Sequence, residues 1–207
     1  LALKGGWRYD LHEWFLDTFL FRQMGRELRQ RTLALAALKA GDQVLDVGCG
    51  TGTLALEAQR IVGSAGHVVG IDPSEEQISR AHAKAARQRA PVEFQIGLIE
   101  QLAFPDQTFD VVLSTLMMHH LPTSLKQRGF AEIARVLKPW GRLVIADFVR
   151  RQERAGLATR FHAGGSSLRE LAALASDGGF VHVDSEEMPA PRFSMFPGAG
   201  FVKAAKS

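Results

Sequence analysis

The residues Val44-Leu45-Asp46-Val47-Gly48-Cys49-Gly50-Thr51-Gly52 constrain the fold of this chain more than any other stretch. An apolar run suited to a buried strand passes directly into three glycines at alternate positions, and a helical pattern begins at Thr51. Such glycines remove the Cβ atoms that would keep a ligand off the backbone. They also let the chain turn sharply into a helix whose first N–H groups lack internal partners. A plain strand-to-helix turn needs fewer glycines. A dinucleotide loop runs Gly-x-Gly-x-x-Gly, but here the sixth position is Thr53 and the third glycine arrives one residue early, at Gly52. The spacing favours a different nucleoside cofactor.

Around that loop the apolar pattern alternates between two periods. Short runs suited to buried parallel strands occur at Gln43 to Val47, His67 to Ile71, Val92 to Ile96, Phe109 to Ser114 and Leu143 to Asp147. Helical patterns lie between them at Thr51 to Val62, Ser74 to Arg89 and Ser124 to Leu137, with only a short segment around Glu100 to Leu102. This alternation predicts an α/β, doubly wound, mostly parallel sheet. A tail helix (Ser167 to Ser176), a strand from Phe180 to about Asp184 and an apolar piece at Gly200 to Ala204 complete seven strands with an edge hairpin. From Tyr9 to Lys39 apolar residues recur at three- and four-residue spacings, which predicts a helical preface of two helices broken at Gly25. The whole chain reads as one domain, with a preface over 1–40, a cofactor-binding core over 41–148 and an acceptor-side segment with edge strands over 149–207.

Composition removes several classes. Cys49 is the single cysteine, so a disulfide framework and a Cys-rich metal cluster are excluded, and a cytoplasmic setting is expected. No apolar stretch reaches about 18 residues, and LALKGGWRYD lacks a signal-peptide layout. The formal charge of +3 neither requires nor forbids an anionic partner. Tyr9 is the one tyrosine, which excludes the Tyr-Lys chemistry of short-chain NAD(P) oxidoreductases. Asp72, ending the strand about twenty residues beyond the loop, has the position of a ribose-binding carboxylate; capping the helix that starts near Pro73-Ser74 is the other reading.

The runs Leu45-Asp46-Val47-Gly48-Cys49-Gly50-Thr51-Gly52, Gly70-Ile71-Asp72 and Leu137-Lys138-Pro139-Trp140-Gly141-Arg142-Leu143 resemble, in order and spacing, the signatures of class I S-adenosylmethionine-dependent methyltransferases. The layout is most similar to the small-molecule group that includes the ubiquinone and menaquinone biosynthesis C-methyltransferases. The resemblance implies a Rossmann-like methyltransferase fold, S-adenosylmethionine as cofactor and S-adenosylhomocysteine as product. It implies that Gly48, Cys49, Gly50, Thr51 and Gly52 lie against the cofactor, with Asp46 ordering the loop and Asp72, beside Pro73, holding the ribose. Leu98 stands where an acid usually meets the adenine amino group, leaving Leu98 and Ile99 to offer backbone N–H groups and an apolar wall. Ser114 and Thr115 complete the cofactor set, and Tyr9 stands where the preface would close over it. Trp140 replaces the first of two usual glycines.

Ligands of an open parallel sheet sit at the carboxyl ends of its strands, beside the switch point. That selects the segment after the fourth strand, where His119 and His120 are candidates to accept a proton or to orient an acceptor oxygen, the sequence not choosing between them. Asp147, at the end of the fifth strand, is a further candidate, with capping of the next turn as its other reading. Ser114-Thr115-Leu116-Met117 lacks the Asn/Asp-Pro-Pro-aromatic element of nucleic-acid amino-methylating enzymes, Cys49 cannot serve cytosine or arsenite methylation, and no carboxylate cluster calls for a metal. A small organic acceptor, methylated at carbon or oxygen, is expected. Trp7, Tyr9, Trp14 and Phe15 at one end and Phe148, Phe161, Phe193, Met195 and Phe196 at the other suggest an apolar, aromatic or prenylated molecule, or ordinary packing. Ala163-Gly164-Gly165-Ser166-Ser167 reads as a mobile segment near that mouth. Arg22, Arg26, Arg29 and Arg31 suit either a peripheral membrane contact or a solvated helix face. Two rivals stand beside this reading: a nucleic-acid methyltransferase using Arg80, Lys84, Arg87 and Arg89, although no nucleic acid is expected, and a silent cofactor-binding partner subunit.

Overall fold

The computed structural model describes residues 24–148, 167–188 and 198–207. A helix over 24–36 (α1) precedes β1 (Gln43–Val47), α2 (Thr53–Val62), β2 (His67–Asp72), α3 (Glu75–Gln88), β3 (Val92–Ile96) and β4 (Phe109–Thr115). A single 3-10 turn (Met118–His120) then leads into α4 (Thr123–Val136), β5 (Leu137–Phe148), α5 (Leu168–Asp177), β6 (Phe180–Met188) and β7 (Ala199–Lys206). Gly25, the expected break, lies inside α1, and the first expected preface helix lies outside the described residues.

The sheet has seven strands in the order β3-β2-β1-β4-β5-β7-β6. The pairs β1–β2, β1–β4, β2–β3 and β4–β5 are parallel, and β7 runs antiparallel to both β5 and β6. This is the expected mostly parallel sheet closed by an edge hairpin. Both faces are covered, which is why β1 shows continuous burial from Val44 to Val47 rather than alternation. On one face Val44, Val111, Leu113 and Val144 pack with α1, α2 and α3 through residues such as Ala36, Leu54, Ala58, Ile78 and Ala81. On the other, Leu45, Val112, Leu143 and Ile145 pack with α4 and α5 through Phe130, Ile133, Leu171 and Leu174. Among the described residues no helix is long and apolar enough to cross a membrane.

Local chemistry sets the element ends. Ser74 caps α3 by accepting the Gln77 N–H, Glu75 and Glu76 complement the positive end of the helix, and Ser167 caps α5 through the Glu170 N–H. Arg142 on β5 ties the preface to the sheet, donating to the carbonyls of Ala36 (2.8 Å) and Ala37 at the end of α1 and to Asp42 (2.6 Å). That bond set fixes the C-terminal end of α1 at the amino end of β1, next to Asp42. β5 runs from Leu137, longer than the expected Leu143 to Asp147, because Leu137 already pairs with Phe109 before a register shift. Trp140, between those two parts, has φ 61° and a side chain directed to solvent, 70% exposed.

Candidate functional site

β1 and its neighbours β2 and β4 leave the strand order in opposite directions, so a crevice opens at their carboxyl ends. A cleft of about 610 Å3 lies there, within the usual range for small-molecule sites. The glycine loop forms its floor. The N–H groups of Gly48 and Cys49 both donate to the Ile71 carbonyl at 2.8 and 2.9 Å, which ties the loop to β2.

The three glycines do different things. Side-chain atoms at Gly48 and Gly52 would collide with the neighbours packed on them, Met117 at 2.5 Å and Phe94 at 2.4 Å. A Cβ at Gly50 would meet nothing within 4 Å and would stand in the cleft that Gly50 lines, in a left-handed conformation of φ 52°. Gly50 is thus the position where bare backbone faces ligand space, while Gly52 sits behind the loop as the left-handed cap of α2.

Asp72 joins its two sequence readings. One carboxylate oxygen accepts the Gly50 N–H at 2.9 Å and the other accepts the Ser74 N–H at 2.9 Å, so the residue braces the loop and opens the turn into α3. Each oxygen keeps a lone pair, and Asp72 lines the cleft with Pro73 and Gln77. Gly97, Leu98, Ile99 and Glu100 form the adjoining wall, and Leu98 is 48% exposed. Cys49 and Thr51 also line the cleft; burial, followed by the charges of Asp46 and Asp72, pushes the Cys49 thiol far up, so it is no nucleophile.

Two expected cofactor contacts stand back from the cleft. Asp46 lies beneath the loop, fully buried, and among the described residues neither carboxyl oxygen has a hydrogen-bond partner. Burial pushes its pKa up to about 7; the dipole of the Ala55 N–H opposes this without closing a hydrogen bond, and the Asp72 charge adds to the rise. Ser114 is also fully buried, its hydroxyl unpartnered among the described residues, while its neighbour Thr115 reaches the cleft, as strand alternation requires. Tyr9 lies outside the described residues, as do Trp7, Trp14, Phe15, Arg22, Phe161, the segment 163–166, Phe193, Met195 and Phe196.

At the far end the cleft is walled by Thr115, Leu116, Met117, His120 and Leu121. His120 therefore faces the cavity, whereas His119 turns to Asp147: its ring Nδ1 lies 2.6 Å from one carboxylate oxygen, and its backbone N–H donates to the other at 2.8 Å. Asp147 also accepts the Phe148 N–H at 2.7 Å, still within β5, while the turn it is expected to cap lies outside the described residues. Burial and then the neighbouring His119 lower the His120 pKa, with Asp147 opposing.

Sequence reasoning missed Arg29, Gln77 and Glu100 as cleft residues, while Met117 lies in the segment it selected after the fourth strand. Gln77 could have been found as the first inward position of the helix after Asp72. Arg29 could not, because only the tertiary placement of α1 brings it to the cleft. Of that arginine row, Arg29 lines the cleft and pairs with Glu57 at 3.3 Å, Arg31 is exposed and pairs with Glu186 at 2.8 Å, and Arg26 is exposed. On α3, Arg80 pairs with Glu76, and Lys84 donates to the hydroxyls of Thr51 (2.8 Å) and Thr53 (2.7 Å).

Known proteins share this arrangement. Residues 44–141 match the methyltransferase-domain family. An arsenite methyltransferase of Halobacterium salinarum is 36% identical over 159 residues, covering 73% of this chain and 40% of the relative. A 27-O-demethylrifamycin SV methyltransferase of Amycolatopsis mediterranei is 33% identical, covering 73% and 56%. A ubiquinone/menaquinone biosynthesis C-methyltransferase of Geobacter sulfurreducens is 34% identical, covering 68% and 54%. The chain spans about half the length of such relatives. In fold, a methyltransferase from Aquifex aeolicus superposes with TM-score 0.71 at 24% identity, covering 86% of this chain and 89% of that one. The [4+2]-cyclase SpnF superposes with TM-score 0.75 at 23% identity, covering 87% and 80%. Fold, loop and family match together define a methyltransferase domain. The chain belongs to the class I S-adenosylmethionine-dependent methyltransferases.

Proposed function

We propose that this chain transfers the methyl group of S-adenosylmethionine to a carbon or oxygen of a small organic acceptor. The observation that carries the reading is Gly50, a left-handed glycine of the loop whose missing side chain opens into a cleft bounded by Asp72 on one side and by the histidine turn on the other.

The residues present suit the cofactor. Asp72 retains lone pairs for ribose hydroxyls, Pro73, Leu98 and Ile99 give apolar surface for a purine, and the buried, unpartnered carboxyl of Asp46 beneath the loop complements a cationic ammonium above it. When bound, the cofactor supplies an electrophilic methyl on a sulfonium, already a good donor. The protein's own work is to hold an acceptor at contact distance and in line, and to exclude water. Met117, Leu116 and Leu121 give the acceptor end of the cleft an apolar wall, which suits an aromatic or quinone-like ring.

The relatives named above act on an arsenical, a rifamycin and quinone precursors, and this chain's residues favour the carbon and oxygen acceptors among these. Cys49, its one thiol, is buried in the loop and leaves no thiol pair to hold arsenite within these residues. A cytoplasmic setting accords with that lone cysteine. Nucleic acid is a poor acceptor for the site, since Arg80 and Lys84 are already engaged within the fold.

Labelled S-adenosylmethionine offered with a panel of phenols, quinols and hydroxylated macrocycles tests the reading. Transfer of label to at least one panel member is expected. Tight cofactor binding with no transfer to any acceptor would instead favour the silent partner subunit.

A further inference from the structure

The segment 97–108 joins β3 to β4 without a helix or strand of its own, yet Gly97, Leu98, Ile99 and Glu100 at its start line the cleft. Backbone without a ladder must take its partners elsewhere. Here they come from one face of α4, where Gly129, Glu132 and Arg135 recur at three-residue spacing. The Glu132 carboxylate accepts the Leu102 N–H at 2.8 Å. Arg135 uses all five of its N–H donors: two on the Glu132 carboxylate, one each on the carbonyls of Leu102 and Phe104, and one on the Asp106 carboxylate, every one at 2.8 Å. Gly129 leaves room for Ile99, since a Cβ there would lie 2.7 Å from two carbons of the Ile99 side chain. On the other side of the turn the Gly97 N–H donates to the Asp72 carbonyl at 3.2 Å.

Given the S-adenosylmethionine reading of the cleft, on which this step rests, we propose that Gly129, Glu132 and Arg135 are positioning residues that hold the turn 98–101 so that it selects adenine over a 6-oxopurine. The turn is tied at Gly97 on one side and at Leu102 on the other, and the Gln101 N–H closes it on the Leu98 carbonyl at 3.3 Å. Its conformation is therefore set from α4 rather than by the turn itself.

The chemistry of the turn explains why its placement matters. Leu98 and Ile99 are apolar, so the polar groups this turn offers a purine are its main chain and the Glu100 carboxylate. Adenine presents an acceptor at N1 and a donor at its 6-amino group, whereas hypoxanthine presents a donor and an acceptor in the same places. Groups aimed at one pattern are left unpaired by the other, which is the strongest basis a site has for rejecting a near-isostere. Hydrogen bonds from Arg135 lower the Glu132 pKa against the opposing effect of burial, so the clamp stays charged. A lysine cannot replace Arg135, because one ammonium does not span a carboxylate and two carbonyls.

Calorimetric titration with S-adenosylhomocysteine and with S-inosylhomocysteine, whose base is hypoxanthine, tests the assignment. The wild type is expected to prefer the adenine ligand by at least about 30-fold. Arg135→Lys and Gly129→Ala disturb the turn through separate contacts, and each should reduce that preference to about threefold or less, chiefly by weakening S-adenosylhomocysteine. The ratio does not depend on how much of a variant is folded, so a general loss of stability cannot imitate this result. Without any ligand, amide exchange across 98–102 should be at least about tenfold faster in Arg135→Lys than in the wild type, with β1 and β2 unchanged. An unchanged preference in either variant, unchanged exchange, or a wild type that binds both nucleosides equally would overturn the assignment. Failure of the folded wild type to bind S-adenosylhomocysteine would instead overturn the cofactor reading beneath it.

Discussion

Among the described residues the buried carboxyl of Asp46 has no hydrogen-bond partner, and its behaviour with pH follows from that. Below the ordinary carboxylate pKa near 4 the group is neutral in folded and unfolded chains alike and adds no pH dependence to stability. As pH rises past that value the unfolded chain ionises while the folded one stays protonated up to about 7, so stability falls through this window and levels off above it. The fall is on the order of 4 kcal/mol for the ligand-free protein. Urea titrations between pH 4.5 and 7.5 should show this decline in the wild type and its removal in Asp46→Asn; a flat wild-type profile would mean that the carboxyl has a partner after all. At this scale the sequence was a good guide to placement where backbone geometry decides it, as for Gly50 and Asp72 at the cleft. It was silent where function depends on a partner far along the chain. Nothing local announces that Asp147 takes His119 and leaves His120 to the cleft, since the 28-residue separation is closed only by the pairing of β4 with β5.

Among the elements, the turn inside β5 separates two positions that sequence comparison treats together. Gly141 is buried, and a Cβ there would lie 2.8 Å from the Lys138 carbonyl and 3.3 Å from that of Asp110, both backbone atoms that cannot yield. Trp140 has the left-handed conformation but projects into solvent, so its side chain meets no such barrier. Gly141→Ala should therefore cost about 1–3 kcal/mol, and Trp140→Gly should stay within about 0.5 kcal/mol of the wild type. Denaturant midpoints with unchanged slopes read both, and the reverse order would contradict this account of the turn. Strand positions were legible because buried parallel strands make apolar runs bounded by glycine and aspartate, as at Val44 to Val47 and Val68 to Ile71. The helix over 24–36 was legible only as a helix. Its placement depends on Arg142 reaching the Ala36 carbonyl from another strand, a contact with no local signature.

For the molecule as a whole, strand order decides where chemistry can occur. Placing β1 between β2 and β4 opens one crevice, into which the glycine loop, Asp72, the Leu98 wall and the histidine turn all project. The alternation of strands and helices made a doubly wound, mostly parallel sheet readable from the sequence, with its ligands at the carboxyl ends of the strands. The size of the cleft and the engagement of Arg29, Arg31 and Lys84 were not readable, because they depend on side chains from separate layers meeting. The central claim is that this crevice holds an S-adenosyl nucleoside above Gly50. Calorimetric titration of the folded chain with S-adenosylhomocysteine tests it most directly. The account predicts saturable binding to one site, markedly weakened by Gly50→Ala, whose added methyl would occupy ligand space. Absence of binding by the folded wild type, or binding indifferent to Gly50→Ala, would contradict it.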